Sequence, residues 1–297
     1  MTTLYLSIVM LCRIVQAIFG KRASNEIKSI PMLIGYSSFK DAISALFAIL
    51  LILVVGNGFK CGLLTVLIAS FSGITLFFAG FCSLYAMKSG TVSLSSMFGT
   101  AGMIIPILAG VFLFNQSVSF MQIVSMAVFF VSAWLLVGSS KEIYTNFSFK
   151  TMLLLLGSLF SNGGTMLAQQ MFTAYVPDGD VSVFSFLSFG IISLLSGIMY
   201  LFVKNKTPNN TDVCEKANIK MLAICGVALA TAVFLINQLV TICTATVPPV
   251  ILFTIVNGGG TIISTLVAAI LYKEKLTAKC VTGVILGVIS FVIIKMF

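Results

Sequence analysis

Two stretches of this chain, Ser89–Ser140 and Met221–Tyr272, each run for 52 residues without an aspartate, glutamate, lysine or arginine. A membrane-crossing helix needs about 20 apolar residues at a rise of about 1.5 Å each, so neither stretch fits as a single crossing. Each must fold back once. The polar Asn115-Gln116-Ser117 and the Val247-Pro248-Pro249 sequence supply the breaks, the second because proline cannot continue a helix interior. With the remaining apolar runs, the sequence predicts ten helices at about 2–20, 30–55, 61–87, 91–114, 118–138, 151–175, 181–203, 219–243, 247–272 and 277–296. Interior glycines and prolines such as Gly99, Gly102, Pro106 and Gly258–Gly260 are compatible with this, since membrane helices use small residues for close packing. No alternation of apolar and polar residues supports a β-barrel. The expected fold is an all-α integral membrane protein.

Composition narrows the chemistry. Hydrophobic residues make up 59% of the 297, charged residues only 8%, and the mean hydropathy is +1.14. Ordinary soluble domains carry about 25% charged residues. Ten spans leave little chain for a soluble domain, and the N-terminal apolar run reads as a retained helix with no basic region before it. There is no histidine, which removes Ser-His and Cys-His nucleophile pairs, HExxH zinc sites and imidazole pH switches. The seven cysteines (Cys12, Cys61, Cys82, Cys214, Cys225, Cys243, Cys280) form no CxxC pair or metal-ligand spacing, and they read as small apolar fillers. The chain is therefore expected to be neither an enzyme nor a cofactor-binding protein, with no metal site.

Charge sets the expected orientation. Thirteen lysines and arginines, from Lys21 and Arg22 to Lys279, fall in loops after odd-numbered helices, against Lys60 and Lys295 on the other side. That places those loops in the cytoplasm and both termini outside a multi-pass plasma-membrane protein. The pI near 9.3 then reflects lysines beside anionic lipid rather than a nucleic-acid partner.

An internal repeat accompanies the ten helices. Leu113-Phe114-Asn115-Gln116-Ser117-Val118-Ser119 is followed, 158 residues later, by Leu271-Tyr272-Lys273-Glu274-Lys275-Leu276-Thr277, with Ser132 matching Ser290. Five helices per repeat make the second repeat run inverted, so the expected units are 1–140 and 150–297 about a central cavity. The second half has an apolar helix, a Leu271-x-x-Glu274-x-Leu276-Thr277 turn and an early Gly283; the first half has Leu113, Gln116, Val118, Ser119 and Ser125 in those places. On these motifs, and loosely on Ser161-Asn162-Gly163, the chain resembles the EamA-like branch of the drug/metabolite transporter superfamily over essentially its whole length. The resemblance implies ten helices around a cavity and the export or exchange of small metabolites or drugs. It also implies cytoplasmic termini, the opposite of the lysine count.

Residues that could bind a solute are polar groups within the predicted helices. Arg13, Lys40 and Asp41 are ionisable side chains inside them, each costing about 2.5–3.5 kcal/mol at the bilayer centre on insertion scales, so they should face the bundle or water. Gln16 accompanies Arg13, and Ser37, Asp41 and Ser44 recur at helical spacing. Three readings are open: an Arg13–Asp41 ion pair that locks the first two helices, Arg13 or Lys40 holding an anionic group while Asp41 takes a proton or an amine, or helix ends that place these groups near an interface. In the second half, Ser158, Asn162, Thr165 and Gln169 line one helix, Thr231, Gln238 and Thr241 another, and Thr254, Asn257, Thr261 and Ser264 surround the three glycines. The binding candidates there are Asn162, Gln238 and Asn257, because a buried amide offers four hydrogen-bonding sites that one neighbour rarely fills, together with Thr165 on the same stripe as Asn162. Trp134 reads as an interface anchor, and Gly283 with Gly287 as a helix contact within a monomer rather than a homodimer face.

The function expected is secondary transport of a small metabolite, an amino acid or another zwitterionic or anionic solute, through alternating access to a midplane site. Efflux of organic cations centred on Asp41 is the alternative. A lipid-modifying enzyme is a distant one, because the loops offer only Asp178 and Asp180 beside scattered lysines.

Overall fold

The computed structural model describes residues 1–55, 59, 61–88, 98–137, 149–206, 218–271 and 277–296. Ten helical segments occur among them: α1 (Thr2–Glu26), α2 (Ile30–Val55), α3 (Leu63–Lys88), α4 (Phe98–Phe114), α5 (Phe120–Val137), α6 (Phe149–Tyr175), α7 (Val181–Lys206), α8 (Ile219–Thr244), α9 (Pro249–Leu271) and α10 (Ala278–Met296). No strand occurs among the described residues. Seven of the helices are long and apolar enough to cross a membrane, while α4, α5 and α10 carry shorter apolar stretches. The protein is thus an all-α protein of membrane type. Expected residues 91–97 of the fourth helix, Cys214, and the Lys273-Glu274-Lys275 turn with Tyr272 and Leu276 lie outside the described residues.

Helix ends follow local chemistry. Asn115 takes a left-handed conformation, φ 48°, and the Gln116 N–H turns back to Gly110 O at 2.9 Å, closing α4. Four residues further on, Ser119 and Gln122 form a capping box: Ser119 Oγ accepts from Gln122 N–H and Gln122 Oε1 accepts from Ser119 N–H, both at 3.2 Å. The expected turn is therefore a stop signal followed directly by a start signal. Asn218 caps α8 by accepting from Met221 N–H at 3.1 Å, and Pro249 opens α9 where a missing N–H costs nothing. Within α9, Thr254–Gly258 widens into a π-helical turn, which the sequence reading does not anticipate.

The helices pack as α2 on α7, α5 on α10, α3 on α6, α1 on α8, α3 on α7, α2 on α8, α1 on α9 and α4 on α6. Serines stitch two of these seams. Ser38 Oγ donates to Ser193 O at 3.0 Å and Ser193 Oγ returns to Ser38 O at 3.1 Å between α2 and α7. Between α5 and α10, Ser132 Oγ donates to Gly283 O at 2.6 Å and Ser290 Oγ to Ser125 O at 3.0 Å. Gly287 packs against Ile262 and Ser132, so Gly283 and Gly287 serve an internal contact, as expected. Backbones come closest between α4 and α6, where a Cβ on Gly163 would lie 2.5 Å from Gly102 O. Large apolar side chains such as Leu53, Leu194, Leu201 and Phe112 point outward, as does Trp134. An outer surface of that kind suits lipid and not water. Cys12, Cys225 and Cys243 fill buried space, whereas Cys61 is exposed and does not.

Candidate functional site

Polar side chains from α1, α2, α6, α7, α8 and α9 converge on two adjoining cavities. The larger, about 350 Å³, is lined by Gln16, Ser37, Lys40, Asp41, Asn162 and Ser196 among apolar residues that include Phe77, Phe81 and Phe189. The smaller, about 190 Å³, is lined by Arg13, Gln16, Asn162, Thr165, Gln169, Asn237 and Asn257. Gln16, Leu76, Asn162 and Val233 line both, so the two cavities adjoin at those residues. The apolar wall of the smaller chamber includes Val240, Ile236, Phe253 and Val256, which belong to a hydrophobic cluster with Val9, Met103 and Phe129.

Arg13 reaches this chamber from the centre of α1. Its Nη1 donates to Gln16 Oε1 at 2.9 Å, one turn along the same helix, and Nη2 donates to Asn257 Oδ1 at 3.4 Å across to α9. Its Nε is buried and has no hydrogen-bond partner. Gly260 lets the guanidinium lie against α9, since a Cβ there would sit 3.2 Å from Arg13 Nε. The π-helical turn adds a residue to α9 at this level, and Asn257 within it both accepts from Arg13 and donates to Met166 Sδ at 3.5 Å.

The Arg13–Asp41 ion pair, one of the readings that the sequence leaves open, does not occur. Asp41 pairs instead with its chain neighbour Lys40, Nζ to Oδ1 at 2.8 Å, on the wall of the larger chamber. Adjacent residues on a helix point about 100° apart, but the long lysine stem curls back over the shorter carboxylate. Asp41 is 3% exposed and Lys40 22%, so the acid is sealed and its cation forms the surface. The pair carries no net charge, which leaves Arg13 as the one uncompensated charge among the described lining residues.

Of the remaining sequence candidates, Gln16, Ser37, Asn162, Thr165 and Asn257 line the cavities. Asn162 Nδ2 donates to Ser158 O at 2.8 Å, and the Thr165 hydroxyl lies 3.0 Å from that of Thr75. Ser44 and Gln238 do not line them. The Ser44 hydroxyl donates to Lys40 O and Ala230 O, both at 3.2 Å, joining α2 to α8. Gln238 is held between Ser185 Oγ, which donates to it at 2.8 Å, and Ser182 Oγ, which accepts from it at 3.0 Å. Those two serines supply the partners that the sequence reading assigned to a solute. The cavity instead receives the next residue back, Asn237, whose Oδ1 accepts from Gln169 Nε2. The other α8 residues that line the cavity are apolar (Val233, Ile236, Val240), although Thr241 and Thr244 follow Asn237 at helical spacing, and Thr244 meets the same Gln169.

No protein-family model matches the chain, and no curated protein matches it. Among solved structures 28 chains match, including a protein crystal structure with TM-score 0.77 and 12% identity that covers 99% of this chain and 97% of its own. At that identity the likeness carries the fold alone.

Proposed function

We propose that the chain is a secondary transporter of the EamA-like type, built from two inverted five-helix repeats, that moves a small zwitterionic or anionic metabolite by alternating access to the central cavity. The observation that carries this reading is the cavity itself, which draws polar residues from both halves at the middle of long apolar helices, where carriers place their solutes. Helix packing supports the repeat. Exchanging α1–α5 with α6–α10 turns α3 on α6 into α8 on α1, α3 on α7 into α8 on α2, and α1 on α9 into α6 on α4, while α2 on α7 and α5 on α10 map onto themselves. The serine seam supports it too, because the 158-residue offset carries Ser132 to Ser290 and Ser125 to Gly283, relating the Ser132–Gly283 bond to the Ser290–Ser125 bond.

Efflux of organic cations is less well supported, since Asp41 is already neutralised by Lys40 and presents no free carboxylate to a cation. The proposed setting is the plasma membrane, with the lysine-rich loops after odd-numbered helices in the cytoplasm and the protein acting as a monomer in contact with lipid. Reconstitution into liposomes tests the function. Saturable uptake of one solute class, competed by unlabelled solute, is the expected result; uptake that rises without saturation would mark a channel, and none for any class would overturn the proposal.

A further inference from the structure

The charges around the cavity narrow the solute class, on the premise that the cavity is the transport site. The smaller chamber holds one cation and no acid among its described lining residues. Both hydrogen-bond partners of Arg13 are neutral amide oxygens, so its charge is solvated but not balanced, and the buried Nε still lacks an acceptor. Several amide oxygens that face the chamber are committed already: Gln16 Oε1 and Asn257 Oδ1 to Arg13, and Asn237 Oδ1 to Gln169. A carboxylate entering here meets the guanidinium at its Nη ends, whose paired N–H donors match its geometry. An α-ammonium on the same solute would stand beside the guanidinium, repelled by it, with no carboxylate to receive it. The one acid of the larger chamber, Asp41, is sealed behind Lys40. Alongside the uncharged polar residues, the wall presents Leu76, Met166, Val233, Ile236, Val240 and Phe253, an apolar surface for a short tail.

We infer that the cavity takes a monocarboxylate without an ammonium group, its carboxylate on Arg13 and a short apolar tail against the α8 and α9 wall. Net charge then cancels when the site is filled, which distinguishes this solute from an amino-acid zwitterion.

Three compounds of matched shape test it on the purified full-length protein by ligand-dependent thermal stabilisation, which reports binding to the folded state: 4-methylpentanoate, leucine, which adds the ammonium, and 3-methylbutylamine, which lacks the carboxylate. The expected result is stabilisation by 4-methylpentanoate at concentrations where the other two have no effect. Arg13→Gln should weaken its binding on the order of ten- to hundredfold, the usual worth of a charge-assisted hydrogen-bonded pair. If Arg13→Gln does not fold, Arg13→Lys, which keeps the charge but loses the fork, should weaken binding less but measurably. Stabilisation by leucine or the amine as strong as that by 4-methylpentanoate would overturn the monocarboxylate assignment and leave the transporter reading standing. Carboxylate binding unchanged by either Arg13 variant would overturn the assignment to Arg13, and no response to any of the three would overturn the whole inference, with saturable uptake in liposomes then judging the transporter reading separately.

Discussion

Replacing Gly163 by alanine should destabilise the protein, although alanine is the better helix former. The added Cβ would stand 2.5 Å from both Gly102 O and Ile105 Cδ1 and 2.9 Å from Ile105 Cβ, where ordinary contact begins at 3.4 Å. The isoleucine terminus can turn away, but a backbone carbonyl in a helix cannot. The two helices must therefore separate by a large part of an ångström along their closest approach, and overpacking of this kind costs about 1–3 kcal/mol. A second glycine provides the control. Gly190 in α7 has nothing within 4 Å of its would-be Cβ, so Gly190→Ala keeps the intrinsic gain of alanine over glycine, at most about 1 kcal/mol. Unfolding of the two variants in mixed detergent micelles, followed by circular dichroism, should shift in opposite directions or leave Gly190→Ala unmoved. Because Asn162 precedes Gly163 and faces the cavity, the same displacement should also weaken ligand binding. A Gly163→Ala protein as stable as the unsubstituted one would refute the close packing of α4 on α6.

Other expectations follow from individual contacts. Lys40→Met should destabilise the fold by stranding the sealed Asp41 carboxylate, and adding Asp41→Asn should restore part of the loss, giving a coupling of about 0.5–3 kcal/mol in a double-mutant thermal-melting cycle; additive effects would mean that the pair is not formed. Gln238→Leu leaves Ser182 and Ser185 unpaired and should cost about 1–3 kcal/mol, read as a lower melting temperature, while the ligand affinity of the folded fraction stays unchanged. Asn237→Leu, one residue earlier, should alter ligand affinity, so equal affinity losses from both would contradict the assignment of faces on α8. Ser132→Ala and Ser290→Ala should each cost about 0.6 kcal/mol and combine additively, since they act on separate bonds of the α5–α10 seam; a double variant measured in the same micelle assay tests this.

What this chain can be was written in its sequence to a large extent, because the membrane solvent imposes few solutions. Charge-free runs of 52 residues with one polar or proline break can only be helix pairs, and the helices expected at 30–55, 181–203 and 219–243 occur as Ile30–Val55, Val181–Lys206 and Ile219–Thr244. The cost of an ionisable group in hydrocarbon likewise marked Arg13, Lys40 and Asp41 as facing the interior. Tertiary structure decided who meets whom. Composition cannot tell whether an acid takes the arginine of the next helix or the lysine beside it, since the choice depends on where each stem points once the helices are packed. Nor can a polar stripe tell whether it faces a cavity or another helix: Gln238 meets the serines of α7, while its neighbour Asn237 lines the cavity among Val233, Ile236 and Val240. A one-residue step along a helix turns a side chain by about 100°, and which of those directions holds empty space is a property of all the helices together.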